Sequence, residues 1–226
     1  MFSRIAPRYD LMNRLMTGGQ DVGWRQQVIQ LAGIPSGGRV LDLGTGTGDL
    51  SREALRRSPG CRVTSADFTL NMMLVGKQQP GPRLDWTGAD ALHLPFPNAT
   101  FDALVSGFLL RNLVDLPGAL REQYRVLKPG GRLVALDTTR PRPSLFSPMI
   151  KFHMHRVIPF LGEILTRSRD AYEYLPDTTE NFLLAEDLQE QIEAAGFEET
   201  SFRRLMFGTV AIHWAVKPVK KAYNPS

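Results

Sequence analysis

The feature that most restricts the fold is a buried strand that runs directly into a glycine-rich loop and then into a helix. Residues 39–43 (RVLDL) predict the strand, Gly44 to Gly48 form the loop, and residues 49–57 predict an amphipathic helix. Glycine lets a backbone turn sharply and approach a ligand where a Cβ atom would collide. In an open parallel sheet, ligands bind beyond the carboxyl ends of the strands. The segment therefore predicts an α/β fold with a ligand site at this loop.

The alternation of short apolar runs and helical patterns continues along the chain, as in repeated βα units. Further strands are predicted at residues 62–66, 84–87, 103–108 and 132–137, and helices at residues 70–78, 116–127 and 185–195. Two β-rich runs, 199–207 and 210–216, follow the last helix, with Gly208 as a tight hairpin turn between them. We predict a single domain over residues 1–226, with a seven-stranded, mostly parallel sheet, a C-terminal antiparallel hairpin and helices on both faces.

Two segments stand outside this alternation. Residues 1–35 predict an N-terminal helical arm, whose apolar face contains Leu11, Leu15, Trp24, Val28 and Leu31. Residues 139–183, between the fifth strand and the last helix, carry many large apolar side chains. We expect this second segment to form a lid over a substrate site, because a partly mobile lid can enclose an apolar ligand.

Composition narrows the classes of protein that the chain could represent. Cys61 is the only cysteine, so an intrachain disulfide and a cysteine-based zinc site are excluded, and no metal is expected. The net charge is +4 and the basic residues are scattered, which disfavours a nucleic-acid partner. No apolar run approaches the ~20 residues that span a bilayer. We expect a cytoplasmic protein, with a peripheral contact at the inner membrane face left open.

An acidic residue at the end of the second strand strengthens the ligand-site prediction. Asp67 follows the strand at residues 62–66. In nucleoside-binding α/β folds, an acidic side chain at this place accepts hydrogen bonds from the ribose hydroxyls. The order of strand, glycine loop, helix, strand and Asp67 therefore favours an adenosine-containing cofactor over a chance glycine-rich turn.

The spacing of the glycines indicates which cofactor the loop would bind. Gly44, Gly46 and Gly48 are spaced more tightly than in the dinucleotide fingerprint, and Asp49 occupies the place of its last glycine. A carboxylate repels a pyrophosphate and attracts a sulfonium or an amino group. Asp42, near the end of the first strand, could accept a hydrogen bond from a cationic aminoacyl tail. The pattern favours a cationic cofactor.

These motifs resemble class I S-adenosylmethionine methyltransferases, which have a Rossmann-like fold. The shared residues are Asp42 to Gly48, Asp67, Leu94-Pro95-Phe96 and the run from Arg125 to Gly131. More narrowly, the chain resembles the bacterial menaquinone/ubiquinone C-methyltransferases in five motifs: Phe2 to Asn13, Leu110-Arg111-Asn112, Val157 to Gly162, Ala171 to Leu175, and Gly208 to His213. The resemblance implies C-methylation of a polyprenyl quinol ring, above all of demethylmenaquinol. Methylation of a methoxy-polyprenyl-benzoquinol is the alternative.

The resemblance also implies a set of site residues. Thr47 belongs to the glycine loop, Asp67 binds the ribose, and Asp90 with Ala91 lies beside the adenine. The family's serine position falls on Gly107, and its glutamate on the fifth strand is Asp137 in this chain. The full set expected to bind S-adenosylmethionine is Asp42, Gly44, Gly46, Thr47, Gly48, Asp67, Asp90, Ala91 and Gly107.

Methylation of a quinol carbon requires removal of a phenolic proton, because the phenolate makes the ortho carbon nucleophilic. Our hypothesis is that Arg111 stabilises the phenolate and orders a water that takes the proton, while Asn112 holds substrate or cofactor. A structural role for Arg111, tying loops together, is the competing interpretation. Other candidates for proton transfer are His153, His155, His213, Tyr172 and Tyr174.

Several other functions stay open at the level of sequence. The chain could be a methyltransferase that acts on an oxygen or nitrogen of another small molecule. It could also be a binding protein that keeps affinity for the cofactor without turnover. A nicotinamide oxidoreductase is disfavoured by the glycine spacing and by Asp49. Many proteins of the family that the chain resembles self-associate, so a homo-oligomer is an alternative to a monomer.

Overall fold

A computed structural model describes residues 14–142 and 182–219, together with the isolated positions 148, 152, 156 and 157. Within these residues the strands form one seven-stranded sheet in the order β3-β2-β1-β4-β5-β7-β6. The strands are β1 (Arg39–Leu43), β2 (Arg62–Asp67), β3 (Asp85–Gly88), β4 (Phe101–Gly107), β5 (Leu127–Thr138), β6 (Glu198–Leu205) and β7 (Val210–Val216). Strands β1 to β5 are parallel, and β7 is antiparallel to both β5 and β6. The predicted fold class is confirmed.

Helices cover both faces of the sheet, as predicted. They are α1 (Gln20–Ala32), α2 (Asp49–Arg57), α3 (Leu70–Gln78), α4 (Leu116–Val126) and α5 (Ala185–Ala194), with short 3₁₀ helices at Leu110–Asn112 and Met206–Gly208. Successive side chains of a strand point to opposite faces. In β1, Leu41 packs in a hydrophobic cluster with residues of α4 and α5, whereas Val40 packs in a second cluster with residues of α1 and α2. The sheet therefore has a hydrophobic core on each side.

Several predicted bounds differ from the structure by one or two residues, and the start of β5 and the turn between β6 and β7 were wrong. Strand β5 begins at Leu127 rather than Arg132, because residues 128–131 stay in the sheet as an irregularity opposite Phe101 and Ala103 of β4. The β6–β7 connection is longer than a tight turn at Gly208. Strand β6 ends at Leu205, and the chain reverses through three residues of positive φ, Met206, Phe207 and Gly208.

The N-terminal arm is described from residue 14 onwards, where its predicted apolar face is partly confirmed. Trp24 and Val28 of α1 are buried in the second cluster, and Leu31 packs against it. Leu15 is exposed, and Leu11 lies outside the described residues. Most of the predicted lid, residues 143–181, also lies outside them apart from four isolated positions. The division into arm, domain and lid stays a prediction. Among the described helices, none is long and apolar enough to cross a bilayer.

Gly48 allows the glycine loop to pack against β3. Its φ is +92°, and a Cβ atom there would lie 2.7 Å from Leu84 Cδ1 and 2.9 Å from Trp86 Cη2. We expect Gly48→Ala to lower the free energy of unfolding by roughly 2 to 5 kcal/mol, because left-handed strain of ~1–2 kcal/mol adds to overpacking of ~1–3 kcal/mol. Gly37→Ala is the matched control, since Gly37 has φ +70° and open space around it.

Urea unfolding of the ligand-free protein measures both variants. The control is expected to lose only the strain energy, roughly 1 to 2 kcal/mol. Equal losses for the two variants would show that the contact with β3 is not what requires glycine at position 48.

Candidate active site

A cavity of about 500 Å³ lies at the carboxyl ends of β1, β2 and β4. It is lined by most of the residues that the sequence assigned to the cofactor and the substrate, namely Asp42, Gly44, Gly46, Thr47, Asp67, Asp90, Ala91, Gly107 and Asn112. Gly48 and Arg111 were also assigned to the site, but they are not among the lining residues. The parallel strands bring these segments together because their carboxyl ends meet at one edge of the sheet.

The glycine loop is fastened to the end of the neighbouring strand. The backbone N–H groups of Gly44 and Thr45 both donate to the Ala66 carbonyl oxygen, over 2.8 and 3.0 Å. Gly44 has φ +71°, and a Cβ atom there would lie only 3.0 Å from Leu109 Cδ1. The lack of a side chain at Gly44 therefore lets the loop take this left-handed conformation and pass close to Leu109.

Asp67 is held in position by two backbone N–H groups. Gly46 donates to its Oδ2 and Thr69 donates to its Oδ1, each over 2.7 Å. A carboxylate oxygen can accept more than one hydrogen bond, so both oxygens keep capacity for ribose hydroxyls. Asp90 is oriented in a similar way, since its Oδ1 accepts from the Leu92 N–H over 2.9 Å.

Asp42 is a fully buried carboxylate that lines the cavity. Its Oδ2 accepts hydrogen bonds of 2.6 Å from the hydroxyls of both Thr45 and Ser51, and Ser51 also lies 2.7 Å from the Ser65 hydroxyl. Burial raises the pKa of Asp42 to about 6, against the opposing effect of the two hydroxyl donors. Nearby Asp67 raises this pKa further.

The second oxygen of Asp42 is the observation that best fits a cationic ligand. Oδ1 is buried and has no hydrogen-bond partner among the described residues. A buried acceptor without a partner costs about 1–3 kcal/mol. An ammonium group in the cavity would supply the missing donor and would favour the ionised carboxylate.

Asp49 also lines the cavity. Its carboxylate lies 3.1 Å from the guanidinium of Arg25, and Arg25 pairs in turn with Asp21 over 2.5 Å. Sequence reasoning missed Arg25 as a lining residue. The spacing of Asp21 and Arg25, four residues apart on one helix, was the available signal for their ion pair.

Gly48 has a structural role in the described geometry rather than a place in the cavity wall. It precedes α2 and packs against Leu84 and Trp86, as its lack of a Cβ atom allows. Gly107 does line the cavity, where a Cβ atom would approach Leu50 Cδ1 to 3.2 Å. Ser106, its neighbour in β4, is buried in the sheet.

The guanidinium of Arg111 lies against Asp137 rather than in the cavity wall. Nη1 donates to Asp137 Oδ1 over 2.7 Å, and both side chains are almost fully buried. The guanidinium also stacks over the ring of Phe108, 5.1 Å from its centroid. Phe108 does line the cavity, so this residue contacts the guanidinium of Arg111 and also forms part of the cavity wall. The catalytic role of Arg111 stays a prediction, and the ion pair adds weight to the structural interpretation.

Asn112 lies in the cavity wall at the end of the 3₁₀ helix Leu110–Asn112. Its Nδ2 donates to the Phe108 carbonyl oxygen over 3.0 Å, which fixes the plane of the amide. Phe108 has φ +59°, a conformation that costs a side-chain-bearing residue about 1–3 kcal/mol and that occurs often at functional sites. The strained turn therefore presents an amide to the cavity.

Of the other candidates for proton transfer, His213 is the one that the structure describes, and it is not among the residues that line the cavity. His213 is buried in β7, where its Nε2 lies 2.9 Å from the Ala185 carbonyl oxygen and burial lowers its pKa. His153, His155, Tyr172 and Tyr174 lie outside the described residues. No group of side chains suited to a metal ion occurs in residues 14–142 and 182–219 or at the isolated positions.

Two solved structures with the same fold are methyltransferases. One is from Thermotoga maritima, a possible histamine N-methyltransferase, with a TM-score of 0.67, 19% identity and coverage of 96% of this chain and 97% of that one. Another is phosphoethanolamine N-methyltransferase 2 of Haemonchus contortus in complex with S-adenosyl-L-methionine. Its TM-score is 0.65 at 17% identity, over 87% of this chain and 53% of that one. The chain therefore shares the fold of these methyltransferases.

Sequence comparison then identifies the family. A model of the ubiE/COQ5 methyltransferase family matches residues 1–217, and the chain belongs to this family. The ubiquinone/menaquinone biosynthesis C-methyltransferase of Desulfotalea psychrophila is 46% identical, over 96% of this chain and 89% of its own length. The demethylmenaquinone methyltransferase of Thermus thermophilus is 43% identical, over 96% of this chain and its full length. The protein is an S-adenosylmethionine-dependent methyltransferase. The unpartnered Oδ1 of Asp42 and the glycine loop fit that cofactor.

The raised pKa of Asp42 gives stability a particular pH dependence. The folded protein binds this proton more tightly than the unfolded chain, whose carboxyl has a pKa near 3.8. The folded state is therefore penalised as pH rises through about 6, by up to ~3 kcal/mol. We expect Asp42→Asn to gain stability relative to the wild type between pH 4 and pH 7.

Urea unfolding of both ligand-free proteins at several pH values measures this difference, and the wild type corrects for every other titrating group. A difference in unfolding free energy that stays constant from pH 4 to pH 7 would mean that Asp42 titrates as an ordinary carboxyl.

Proposed function

We propose that this protein transfers a methyl group to a ring carbon of a polyprenyl quinol, above all demethylmenaquinol. The observation that supports this most directly is that the cavity wall combines two chemical environments. Four carboxylates, Asp42, Asp49, Asp67 and Asp90, share the wall with large apolar side chains, among them Phe68, Leu109, Leu113 and Val114. A charged cofactor and a lipid-soluble acceptor need these two environments.

The names of the relatives agree with this proposal. The protein of Thermus thermophilus is a demethylmenaquinone methyltransferase, and that of Desulfotalea psychrophila is assigned to both ubiquinone and menaquinone biosynthesis. The second name is the reason to keep a methoxy-polyprenyl-benzoquinol as the alternative acceptor.

S-adenosylmethionine, when bound, supplies an electrophilic methyl group on a sulfonium. The chain's own residues must hold the acceptor ring, exclude water and assist loss of a phenolic proton, whose pKa in water is ~10. We infer that Asn112 contacts the ring hydroxyl, because its amide lies in the cavity wall. Leu109 and Leu113 exclude water beside it.

Arg111 can assist loss of the phenolic proton in either of two ways. It could leave Asp137 and stabilise the phenolate directly, as the sequence suggested. Alternatively, the Arg111–Asp137 pair fixes the 3₁₀ helix and thereby the position of Asn112. The second way is supported by the additional bond from the Arg111 backbone N–H to Asp137 Oδ2, at 3.3 Å. Removing one partner of a buried pair costs about 3–5 kcal/mol, so stability must be measured beside activity.

Two variants separate these roles. If Arg111 stabilises the phenolate, Arg111→Gln lowers turnover at least ~100-fold. Asp137→Asn keeps the guanidinium of Arg111 and should then retain most of the wild-type turnover. If the pair positions Asn112, both variants lose turnover to a similar extent. Steady-state methyl transfer gives turnover, and calorimetric titration with S-adenosylmethionine and thermal unfolding show whether cofactor affinity and the fold are kept. Asn98→Ala is the control, because Asn98 is a surface residue that contacts Arg125. Its turnover, cofactor affinity and thermal stability should match those of the wild type.

The mouth of the cavity supports a peripheral membrane contact. Phe68 and Val114 line the cavity and are 78% and 95% exposed, an arrangement that would let a polyprenyl tail pass from a lipid surface into the site. We include this contact in the proposal because the acceptor is itself a membrane lipid.

Methyl-labelled S-adenosylmethionine and reduced demethylmenaquinone test the proposal together. We expect label on the ring carbon, with faster transfer when the quinol is presented in anionic vesicles and with sedimentation of the protein alongside them. A methoxy-polyprenyl-benzoquinol is the competing acceptor in a parallel reaction. Binding of the cofactor without transfer to either quinol would overturn the proposed acceptor, and absence of sedimentation would overturn the membrane contact.

A further inference from the structure

The charges around the cavity are unequal. Among the described lining residues, four carry carboxylates, namely Asp42, Asp49, Asp67 and Asp90, and Arg25 is the one with a basic side chain. Carboxylates suit the sulfonium, the ammonium and the ribose hydroxyls of S-adenosylmethionine. The cofactor also carries an α-carboxylate, which four aspartates would repel. The basic side chain is therefore the group in this wall that complements it.

Arg25 is held in place rather than free on the surface. Its Nη2 donates to Asp21 Oδ2 over 2.5 Å, and its Nη1 lies 3.1 Å from Asp49 Oδ2. Asp21 is itself buried and accepts from the Thr17 hydroxyl over 3.1 Å. Helix α1 is anchored by Trp24, which is buried in the second cluster. A guanidinium fixed in this way loses little conformational entropy when it binds an anion.

The position of Arg25 matches the aminoacyl end of the cofactor. Helix α1 packs against α2 and against β4, β5 and β7, three strands that lie on the other side of β1 from β2. Arg25 consequently reaches the cavity from the side opposite Asp67, where the ribose is expected. Asp49, its partner, begins α2 directly after the glycine loop. The aminoacyl tail, extending away from the ribose past Asp42, would end near this pair.

We propose that Arg25 binds the α-carboxylate of S-adenosylmethionine, with Asp21 as the residue that positions its guanidinium. A guanidinium has five N–H donors, so it can bind a carboxylate while it keeps its contact with Asp21. The helical arm then does more than cover the core, because it supplies the group that selects cofactors carrying an intact amino-acid carboxylate. This inference rests on the cofactor and not on the identity of the acceptor.

The test compares two ligands, S-adenosylmethionine and decarboxylated S-adenosylmethionine, by calorimetric titration without any acceptor. A charge-assisted hydrogen bond predicts that the wild type binds S-adenosylmethionine at least ~10-fold more tightly than the decarboxylated analogue. In Arg25→Gln, affinity for S-adenosylmethionine should fall at least ~10-fold while affinity for the analogue stays within about twofold, so that the preference disappears.

Arg132→Gln is the matched control, because Arg132 contacts the other end of α1 through the Leu31 carbonyl oxygen over 3.1 Å and lies outside the cavity wall. It should leave both affinities unchanged. Equal weakening of the two ligands in Arg25→Gln would show that Arg25 only holds the arm, and unchanged affinities would also overturn the proposal. Because no quinol is present, these outcomes are independent of the proposed methyl acceptor.

Discussion

The site depends first on a carboxylate that the fold buries near the end of its central strand. Asp42 loses its hydration, and the hydroxyls of Thr45 and Ser51 replace only part of it. Its other oxygen has no partner among the described residues, and its pKa is raised to about 6. A fold that minimised its free energy alone would not retain such a group. The free-energy cost of burying this carboxylate is consistent with a site that a cationic ligand completes. The cavity beside the glycine loop leaves space for such a ligand.

Charged side chains lie on both sides of this carboxylate at the edge of the sheet. The glycine loop is bonded to the end of β2, so that Gly46 and Asp67 are joined directly by a hydrogen bond. On the other side, α1 brings Arg25 to Asp49. The cavity is therefore assembled from both flanks of β1, and among its described lining residues Arg25 is the basic side chain beside four carboxylates. Such preorganisation lets a site discriminate between ligands of similar size.

Sequence patterns predicted the central βα units closely because their signals are local. The bounds of β1, α2 and α3 agree with the structure, since a strand, a helix and their stop signals are each encoded within about ten residues. Strand β5 was predicted too short because the sequence Lys128-Pro129-Gly130-Gly131 is typical of a turn between a helix and a strand. In the structure Gly130 donates its N–H to the Lys217 carbonyl oxygen, and this distant partner keeps the segment in the sheet. Local turn signals contain no information about such a partner.

By itself the sequence determined the α/β class, the glycine loop and the acidic residues near the ends of the first three strands. Periodicity, glycine spacing and a family resemblance are read along the chain, and Asp42, Asp67 and Asp90 all line the cavity. Their contacts with the cofactor stay a prediction. Only the tertiary structure decided the surroundings of the arginines. Arg111, in the 3₁₀ helix after β4, pairs with Asp137 of β5, and Arg25 reaches Asp49 from a separate helix. Charge partners depend on which elements pack side by side, and that packing arises only when the whole sheet has formed.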